Sequence, residues 1–403
     1  MRETNLLIIG AGPFGLAVAA QVAHAGIDHL VVGKPMEFWR RHMPKGMFLR
    51  SACDWHLDPL NVHTIEAFLR LQGKTSRDVE PLSLDFYLSY AEWFQKEKNI
   101  RPLPVYIRQL DYDSPNKKFI ATTEPGEWQE QSAGAGGRSR DIEIIQAKNL
   151  VLAPGFKHFK NVPEDLQRRL PPGRFQHTAE FVDFTTAPNR RYLIIGGRQS
   201  AFEWAALLIE SGAAAVHLSH RHPSPAFAES DWSWVNPLVE GFVENPNWFR
   251  SLSDDEKNAS IQRLWAEGRL KVEPWLESRL RDERVKFWPR TEVINCLEND
   301  KGELVAELSN GETVVCDQIV LATGYKVDIA KLPIIAAGNI LSQLETRNGF
   351  PVLDDHFETS VPRLFITSLP ATQDFGPFFA FTISVRASAK LICDRIVNRD
   401  RES

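Results

Sequence analysis

The sequence has few cysteines, no long apolar run and no excess of positive charge. Its four cysteines form no C-x-x-C pair among 403 residues, which removes the basis for a dithiol redox centre and fits a reduced cytoplasm. No stretch of about 18 uninterrupted apolar residues occurs, so no membrane span is expected. The net charge of −5 argues against general attraction to nucleic acid or to anionic membranes.

Two families of catalytic motif are also missing. No Cys/His spacing suits a metal, so no metal site is expected, and the absence of G-x-S-x-G argues against a Ser-His-Asp hydrolase. The apolar N-terminus is not expected to be a signal peptide, because Glu3 lies early and the centre is rich in Gly and Pro. With 43% hydrophobic and 25% charged residues, the chain is long enough for two globular domains.

A glycine-rich turn near the N-terminus organises the chain. The apolar segment Leu6–Ile9 predicts a buried parallel strand, and Gly10, Gly12 and Gly15 follow it as G-x-G-x-x-G. The segment Leu16–Ala25 predicts the helix after the turn. A strand, this turn and a helix in succession are typical of a dinucleotide-binding unit, in which the helix N-terminus faces the pyrophosphate. A generic packing unit without ligand is the alternative.

One feature of this unit departs from the usual pattern. The second strand, His29–Val32, should end near an acid that binds the ribose, but Gly33 and Lys34 stand there. The nearest acid, Glu37, comes a few residues late. Either the ribose is held differently, or Lys34 meets a phosphate.

A second dinucleotide unit begins near residue 191. The strand Tyr192–Ile195 is followed by a degenerate G-x-G-x-x-A turn, in which Arg198 replaces the middle glycine, and by the helix Phe202–Glu210. The Arg198 side chain adds a cation where a phosphate would lie. The next strand ends in a basic cluster that includes His220 and Arg221, which favours the 2′-phosphate of NADPH over NADH. A solvated basic turn is the alternative.

Two other segments are distinctive in composition. Residues 223–290 hold six of the eleven tryptophans, which predicts a core or a domain interface, with substrate or cofactor contact as the alternative. The low-complexity segment Gln129–Arg140 predicts a hairpin tip.

The layout resembles the flavoproteins with two dinucleotide-binding domains. Besides the two turns, the strand–APG junction at Asn149–Gly155 and the strand–ATG junction at Asp317–Tyr325 carry this resemblance. It implies an α/β fold with two Rossmann-like domains, the NADPH domain being inserted into the FAD domain. The implied FAD-binding domain spans 1–158 and 322–403. The implied NADPH-binding domain spans 159–321 and contains the Trp-rich insert 223–290.

Within that class, the sequence is similar to the class B flavin-containing monooxygenases and amine N-hydroxylases. Their fingerprint F-x-G-x-x-x-H-x-x-x-[Y/F] is matched by Gly173, His177 and Phe181, with Pro171 in place of the opening aromatic residue. The terminal Phe181 favours oxygenation of a heteroatom or of carbon over Baeyer–Villiger insertion. The segment Met47–Asp58 resembles the loop beside the isoalloxazine ring, and Gly376–Pro377 resembles the closing FAD segment.

The resemblance implies the following site. Its catalytic residues are His177, Asp54 and Trp55, and its cofactor-binding residues are Gly10, Gly12, Pro13, Phe14, Gly15, Lys34, Trp39, Arg50, Ser51 and Gly376 for FAD, Gly196, Arg198, Gln199, Ser200, His220 and Arg221 for NADPH, and Thr323 and Gly324 at the ATG junction. His56 is a further candidate for flavin or substrate contact. His177 could instead be an interdomain structural histidine.

The implied reaction is a monooxygenation of a small organic substrate with NADPH and O₂. Hydride from NADPH reduces FAD, and the reduced flavin forms a C4a-hydroperoxide that a nucleophilic substrate atom attacks. Two alternatives stay open: a flavin-dependent NAD(P)H reductase of quinones or disulfides, and a catalytically silent FAD/NAD(P)-binding protein. A cytoplasmic homodimer is a further expectation.

Overall fold

A computed structural model of the chain describes residues 1–128, 138–140, 142–268 and 270–402. The strands are β1 (Arg2–Ile9), β2 (His29–Val32), β3 (Ile107–Asp113), β4 (Lys118–Thr123), β5 (Gly126–Trp128), β6 (Arg138–Arg140), β7 (Ile144–Leu152), β8 (Phe175–His177), β9 (Arg191–Ile195), β10 (Ala215–His220), β11 (Ala226–Phe227), β12 (Lys271–Val272), β13 (Val285–Pro289), β14 (Val293–Glu298), β15 (Leu304–Leu308), β16 (Thr313–Cys316), β17 (Gln318–Leu321), β18 (Thr346–Arg347), β19 (Phe350–Pro351) and β20 (Leu364–Ile366). The α-helices are α1 (Pro13–His24), α2 (Glu37–Arg41), α3 (Ile65–Leu71), α4 (Leu84–Glu97), α5 (Glu164–Arg169), α6 (Gln199–Glu210), α7 (Val235–Glu244), α8 (Trp248–Ser251), α9 (Asp254–Gly268), α10 (Trp275–Arg279), α11 (Pro333–Ala336), α12 (Thr372–Phe375) and α13 (Val385–Glu402).

The first sheet has the order β2-β1-β7-β4-β3, and β20 also pairs with β7. Strand β1 runs parallel to β2 and β7, whereas β4 is antiparallel to both β7 and β3. The side chains of Leu6, Leu7 and Ile8 are fully buried, as expected for a parallel strand that is covered on both faces. Helices α1 and α13 pack against each other beside this sheet.

The second sheet has the order β13-β10-β9-β17-β8 and is parallel throughout. Its central strand β9 buries Tyr192, Leu193 and Ile194 completely. A separate antiparallel sheet, β14-β15-β16, adjoins it. One mixed and one parallel sheet, each with a strand–glycine turn–helix unit, confirm the predicted α/β fold with two Rossmann-like units.

The chain crosses between the two units at neighbouring points. Leaving the first unit it passes through Phe159–Asn161, and returning it passes through Thr323–Lys326. These segments pair: the Asn161 N–H donates to the Gly324 carbonyl (2.9 Å), and the Lys326 N–H donates to the Phe159 carbonyl (2.8 Å). The two crossings therefore form a short two-stranded connection.

The Trp-rich insert divides between the two units. Its helices α7, α8 and α9 bury Val239, Phe242, Phe249 and Leu264 in the core of the first unit, and the Phe242 ring lies 5.0 Å from that of Phe379. The later part, from Val272 onward, joins the core of the second unit. The apolar side of α7 and α8 thus packs on the first unit, and the assignment of the whole of 223–290 to the NADPH-binding domain remains a prediction.

Two smaller expectations concern a hairpin and the membrane. Strands β5 and β6 pair antiparallel, but residues 129–137 of the predicted hairpin tip lie outside the described residues. Among the described helices, none has the length and apolar character that crossing a bilayer requires.

Candidate active site

A cleft of about 400 Å³ opens at the carboxyl ends of β1, β2 and β7. Six of the residues predicted to bind FAD line it: Gly10, Gly12, Pro13, Phe14, Lys34 and Trp39. Ser368, from the C-terminal part of the chain, lines the same cleft. The carboxyl ends of parallel strands are where open α/β sheets bind their ligands.

The three glycines of the first turn have different surroundings. Gly10 has a φ of +114°, and a Cβ there would lie 2.2 Å from the Ala153 carbonyl oxygen. A Cβ on Gly15 would lie 1.8 Å from the Gly10 carbonyl oxygen, beneath the turn. A Cβ on Gly12 meets no atom within 4 Å, so the space beside it is open to a ligand. Gly10 and Gly15 shape the turn, and Gly12 leaves room for a pyrophosphate.

Helix α1 begins at this open space. Pro13 occupies its first turn, and no side chain caps its N-terminus at Gly12. The first N–H groups of an α-helix have no partner within the helix, and the helix dipole favours an anion there. The residues present therefore fit a dinucleotide pyrophosphate.

An acid lines this cleft although none stands directly after β2. The Tyr106 hydroxyl donates a hydrogen bond to the Glu37 carboxylate, and both residues line the cleft. The Nζ atoms of Lys34 and Lys157 lie 4.7 Å and 5.1 Å from the centroid of the Tyr106 ring. Glu37, although late in the sequence, thus stands where a ribose hydroxyl could donate to it, and two cations stand nearby. Burial, and then Glu37, raise the pKa of Tyr106.

The loop after α2 approaches the cleft at only one of its predicted residues. The Ser51 Oγ lies 3.4 Å from the Thr382 Oγ1, and Thr382 lines the cleft. The Arg50 guanidinium turns towards the insert instead, where it donates to Glu273 (2.6 Å) and to the Gly268 carbonyl (2.6 Å). In the structure Arg50 therefore joins the loop to the insert, and its predicted flavin contact has no support from this geometry.

Asp54 and Trp55 lie behind the first cleft and do not line it. The Asn236 side chain of α7 donates to the Asp54 carboxylate. The Trp55 ring is buried, with its centroid 6.0 Å from Trp232 and 6.4 Å from Phe381. Both residues hold the loop against the insert, so their predicted catalytic role remains a prediction.

His56 and Gly376 are also engaged elsewhere. The Arg386 Nη1 lies 3.1 Å from the His56 Nε2, and burial together with the charge of Arg386 lowers the pKa of His56 to about 3. Gly376 adopts a φ of +92°, and a Cβ there would lie 3.0 Å from the Phe249 ring. Gly376 therefore permits a turn against α8 and lines neither of the two clefts described here.

A second cleft, of about 270 Å³, opens at the carboxyl ends of β9, β10 and β17. Seven predicted residues line it: Gly196, Arg198, Ser200, His220, Arg221, Thr323 and Gly324. Gln199 does not line it, because its side chain is buried and accepts a hydrogen bond from the Glu273 N–H (3.0 Å). Gly196 has a φ of +145°, and a Cβ there would lie 2.4 Å from the Ala322 carbonyl oxygen, which is the tight turn that the sequence predicts.

The basic cluster after β10 separates into a buried and an exposed part. His220 is only 3% exposed, and its Nδ1 donates to the His222 carbonyl (2.8 Å). Its ring covers Gly197, where a Cβ would lie 2.4 Å from the ring, and burial lowers its pKa. Arg221 is exposed at the cleft. The geometry therefore leaves Arg221 as the candidate for a 2′-phosphate, while His220 holds the turn.

His177 sits at the crossing between the units. Its Nδ1 accepts a hydrogen bond from the Ala179 N–H (3.1 Å), and its Nε2 donates to the Gly324 carbonyl (3.0 Å). The ring lies edge-on to Tyr325 at 5.3 Å. Burial lowers the pKa of His177, so the ring is neutral with the proton on Nε2. Both nitrogens are engaged by the backbone, which favours the structural alternative over a catalytic acid or base.

An aromatic wall separates the two clefts. The Tyr325 ring lines the second cleft, and its centroid lies 5.0 Å from Phe156 and 6.1 Å from Phe38, which line the first. The sequence analysis missed Tyr106, Lys157 and this wall. Lys157 could have been found from its position two residues after the APG junction, whereas no local pattern marks Tyr106.

The chain is similar to known proteins in both sequence and fold. A curated relative is the indole-3-pyruvate monooxygenase YUCCA1 of Oryza sativa subsp. japonica, 24% identical over 220 residues, which are 53% of this chain and 47% of the relative. The chain thus matches about half the length of that relative. Among solved structures, the ornithine N-hydroxylase of Kutzneria sp. 744 superposes with a TM-score of 0.78 at 14% identity, over 99% of this chain and all (100%) of that one.

A second similar structure is that of an enzyme with a different activity. The bacillithiol disulfide reductase of Bacillus cereus superposes with a TM-score of 0.63 at 20% identity, over 99% of this chain and 100% of that one. The pyridine nucleotide-disulphide oxidoreductase family matches residues 4–234 and 262–367, a span that includes both glycine-rich turns and the fingerprint segment. The chain therefore belongs to the pyridine nucleotide-disulphide oxidoreductase family, which confirms the predicted class of flavoproteins with two dinucleotide-binding domains.

Proposed function

We propose that the chain is an FAD-dependent monooxygenase that uses NADPH and O₂ to oxygenate a small organic substrate at a heteroatom or at carbon. The observation that carries this proposal is the pair of neighbouring dinucleotide clefts, whose linings meet where the Tyr325 ring contacts the rings of Phe156 and Phe38. Neighbouring clefts would place the two cofactors within one site, as hydride transfer between them requires. The fold shared with the Kutzneria ornithine N-hydroxylase, whose structure contains reduced FAD, NADP⁺ and L-ornithine, supports the same assignment.

The cysteines argue against disulfide reduction. All four are free and buried, and none lines either of the two clefts described above. Burial raises the pKa of Cys296 to about 11 and that of Cys316 to about 12. A thiolate is the attacking species in thiol–disulfide exchange, so these thiols are unsuited to it. A quinone reductase and a silent binding protein remain the alternatives that experiment must separate.

We assign the following roles to the residues of the two clefts. The N-terminus of α1 and the open space at Gly12 would bind the FAD pyrophosphate, and Glu37 would accept from the ribose. Arg198 and Arg221 would bind the phosphates of NADPH, and His177 would hold the crossing that sets the distance between the clefts. When bound, FAD supplies the redox chemistry between NADPH, O₂ and substrate. A cytoplasmic location and a homodimer remain part of this proposal.

Three measurements test the function in sequence. The purified protein should carry a flavin absorption band, which a silent protein without cofactor would lack. It should consume O₂ in the presence of NADPH. After anaerobic reduction and mixing with O₂ in a stopped-flow instrument, a transient absorbing species should precede the return of oxidised flavin. Single-step oxidation to hydrogen peroxide with every amine, sulfide and aromatic substrate tried would favour the reductase alternative instead.

Coenzyme preference is expected to depend on Arg221. Arg221→Ala removes the exposed guanidinium from the second cleft, and a phosphate–Arg contact is charge-assisted and often bidentate. The KM for NADPH should rise about tenfold, the scale of one such contact, while the KM for NADH changes little. Arg190→Ala, which removes an exposed arginine outside this cleft, serves as the control. Equal losses with both coenzymes would contradict the assignment.

A further inference from the structure

Arg198, which replaces a glycine in the second turn, makes a cation–π contact with Trp265 of the insert. The guanidinium carbon of Arg198 lies 3.8 Å from the centroid of the Trp265 ring. Arg198 lines the second cleft at the N-cap of α6, the position where a dinucleotide fold meets the pyrophosphate. Trp265 itself does not line the cleft, so its contact with a ligand there would pass through Arg198.

The helix that carries Trp265 is fixed independently of Arg198. Leu264, the residue before it, is buried in the core of the first unit. Beyond it, the carbonyl of Gly268 accepts from Arg50 (2.6 Å), and the carboxylate of Glu267 accepts from the Asp231 N–H (2.8 Å). Cations near a helix C-terminus are stabilising, because the last carbonyls are free to accept. These contacts therefore fix the last turn of α9, which carries the Trp265 ring.

The Arg198–Trp265 contact joins elements of different units. Arg198 belongs to the strand–turn–helix unit of the second sheet, whereas α9 packs on the first core. A flat ring held at 3.8 Å restricts a long side chain that otherwise samples many rotamers, and it attracts the cation through the ring quadrupole. Restricting a side chain in its binding position lowers the entropy lost when the ligand binds.

We propose that Trp265 is a positioning residue that holds the Arg198 guanidinium at the pyrophosphate subsite of the nicotinamide coenzyme. This inference rests on the proposed function, because it takes the second cleft to bind that coenzyme. It assigns the two cations of the cleft to different phosphates: Arg198 to the pyrophosphate that NADPH and NADH share, and Arg221 to the 2′-phosphate that only NADPH carries. Trp265 therefore affects affinity for both coenzymes and leaves the preference between them to Arg221.

The test measures binding to the FAD-loaded protein by isothermal titration calorimetry. For Trp265→Leu, the Kd of NADP⁺ should rise about tenfold, while that of adenosine 2′-monophosphate, which lacks a pyrophosphate, stays unchanged. In turnover, the KM values of NADPH and NADH should rise by the same factor and kcat at saturating coenzyme should be kept. Trp265→Phe, which retains a ring, should recover most of the affinity for NADP⁺.

Two controls separate this role from a structural one. Trp234→Leu removes a similar contact in the insert, the one with Arg263 at 4.2 Å, and should leave the Kd of NADP⁺ unchanged. In an Arg198→Gln background, Trp265→Leu should have no further effect on that Kd, since the two residues act through one contact.

Several results would overturn the proposal. An unchanged Kd of NADP⁺ in Trp265→Leu would do so, as would an equal loss for adenosine 2′-monophosphate or an undiminished effect in the Arg198→Gln background. If the wild-type FAD-loaded protein binds no NADP⁺ at all, the proposed function fails together with this inference. If the wild type binds NADP⁺ normally and only the Trp265 effects are missing, the inference fails alone.

Discussion

Gly12→Val is expected to give a folded protein that no longer carries flavin. A Cβ at Gly12 meets no atom of the chain within 4 Å, so the larger side chain does not disturb the fold. It would instead fill the space in which the backbone must approach the pyrophosphate. We expect the ratio of bound flavin to protein, measured by absorbance, to fall at least about tenfold, the loss that a steric block worth 1.4 kcal/mol or more produces.

Two further glycines make this result specific. Gly241→Val places the same side chain in open space on α7, and it should keep the wild-type flavin content. Gly15→Val would drive a Cβ to within 1.8 Å of the Gly10 carbonyl oxygen, and it should reduce the yield of folded protein. Circular dichroism of the three variants separates loss of fold from loss of cofactor. Full flavin content in Gly12→Val would mean that FAD is bound elsewhere.

His177→Ala is expected to retain FAD but to slow its reduction by NADPH by about 10- to 100-fold. The ring lines neither of the two clefts, yet it fixes the returning crossing through the Gly324 carbonyl. Without the His177 ring, the segment Thr323–Lys326 loses this hydrogen bond and can shift. A displacement of about 1 Å between reacting groups can lower the rate on the order of 100-fold. The rate constant of flavin reduction under anaerobic stopped-flow conditions measures this effect.

The pH dependence expected for the wild type follows from the burial of His177. Burial lowers its pKa from 6.5, so the neutral ring is present at and above neutral pH. The wild-type reduction rate should therefore show no titration of this ring between about pH 7 and 9. His217→Ala, which removes another partly buried histidine of the same sheet, should leave the rate unchanged. A wild-type rate in His177→Ala would remove the positioning role.

Features written in a short stretch of sequence were predictable. The two glycine turns follow apolar strands within a few residues, so their place in the fold could be read locally, and most of the predicted cofactor-binding residues line one of the two clefts. The first turn also predicts an open space at Gly12. The motif requires a glycine there because a side chain would block the approach of the pyrophosphate to the backbone. The basic cluster after β10 was found for the same reason, although burial separates His220 from Arg221.

Features that depend on distant segments were not predictable. Arg50 was assigned to the flavin from the resemblance of its loop, and nothing in that loop shows that Glu273 would face it. The sequence did not show that helices of the insert pack on the first core, because amphipathic periodicity gives an apolar face without saying which core covers it. Glu37 was noted only as the nearest acid, a few residues late, and the sequence did not show that the short turn into α2 brings it to the cleft.

The pairing of the two crossings bears on how the molecule could have arisen and could be re-engineered. Since Phe159 and Lys326 already share a hydrogen bond, a whole module can be added to the host between these residues without separating the host's own ends. Such a module could be exchanged for one of different coenzyme preference by cutting at the same two residues. Because α7 to α9 lie inside that module, the replacement would have to carry helices with the same apolar face, since their buried side chains complete the core of the first unit.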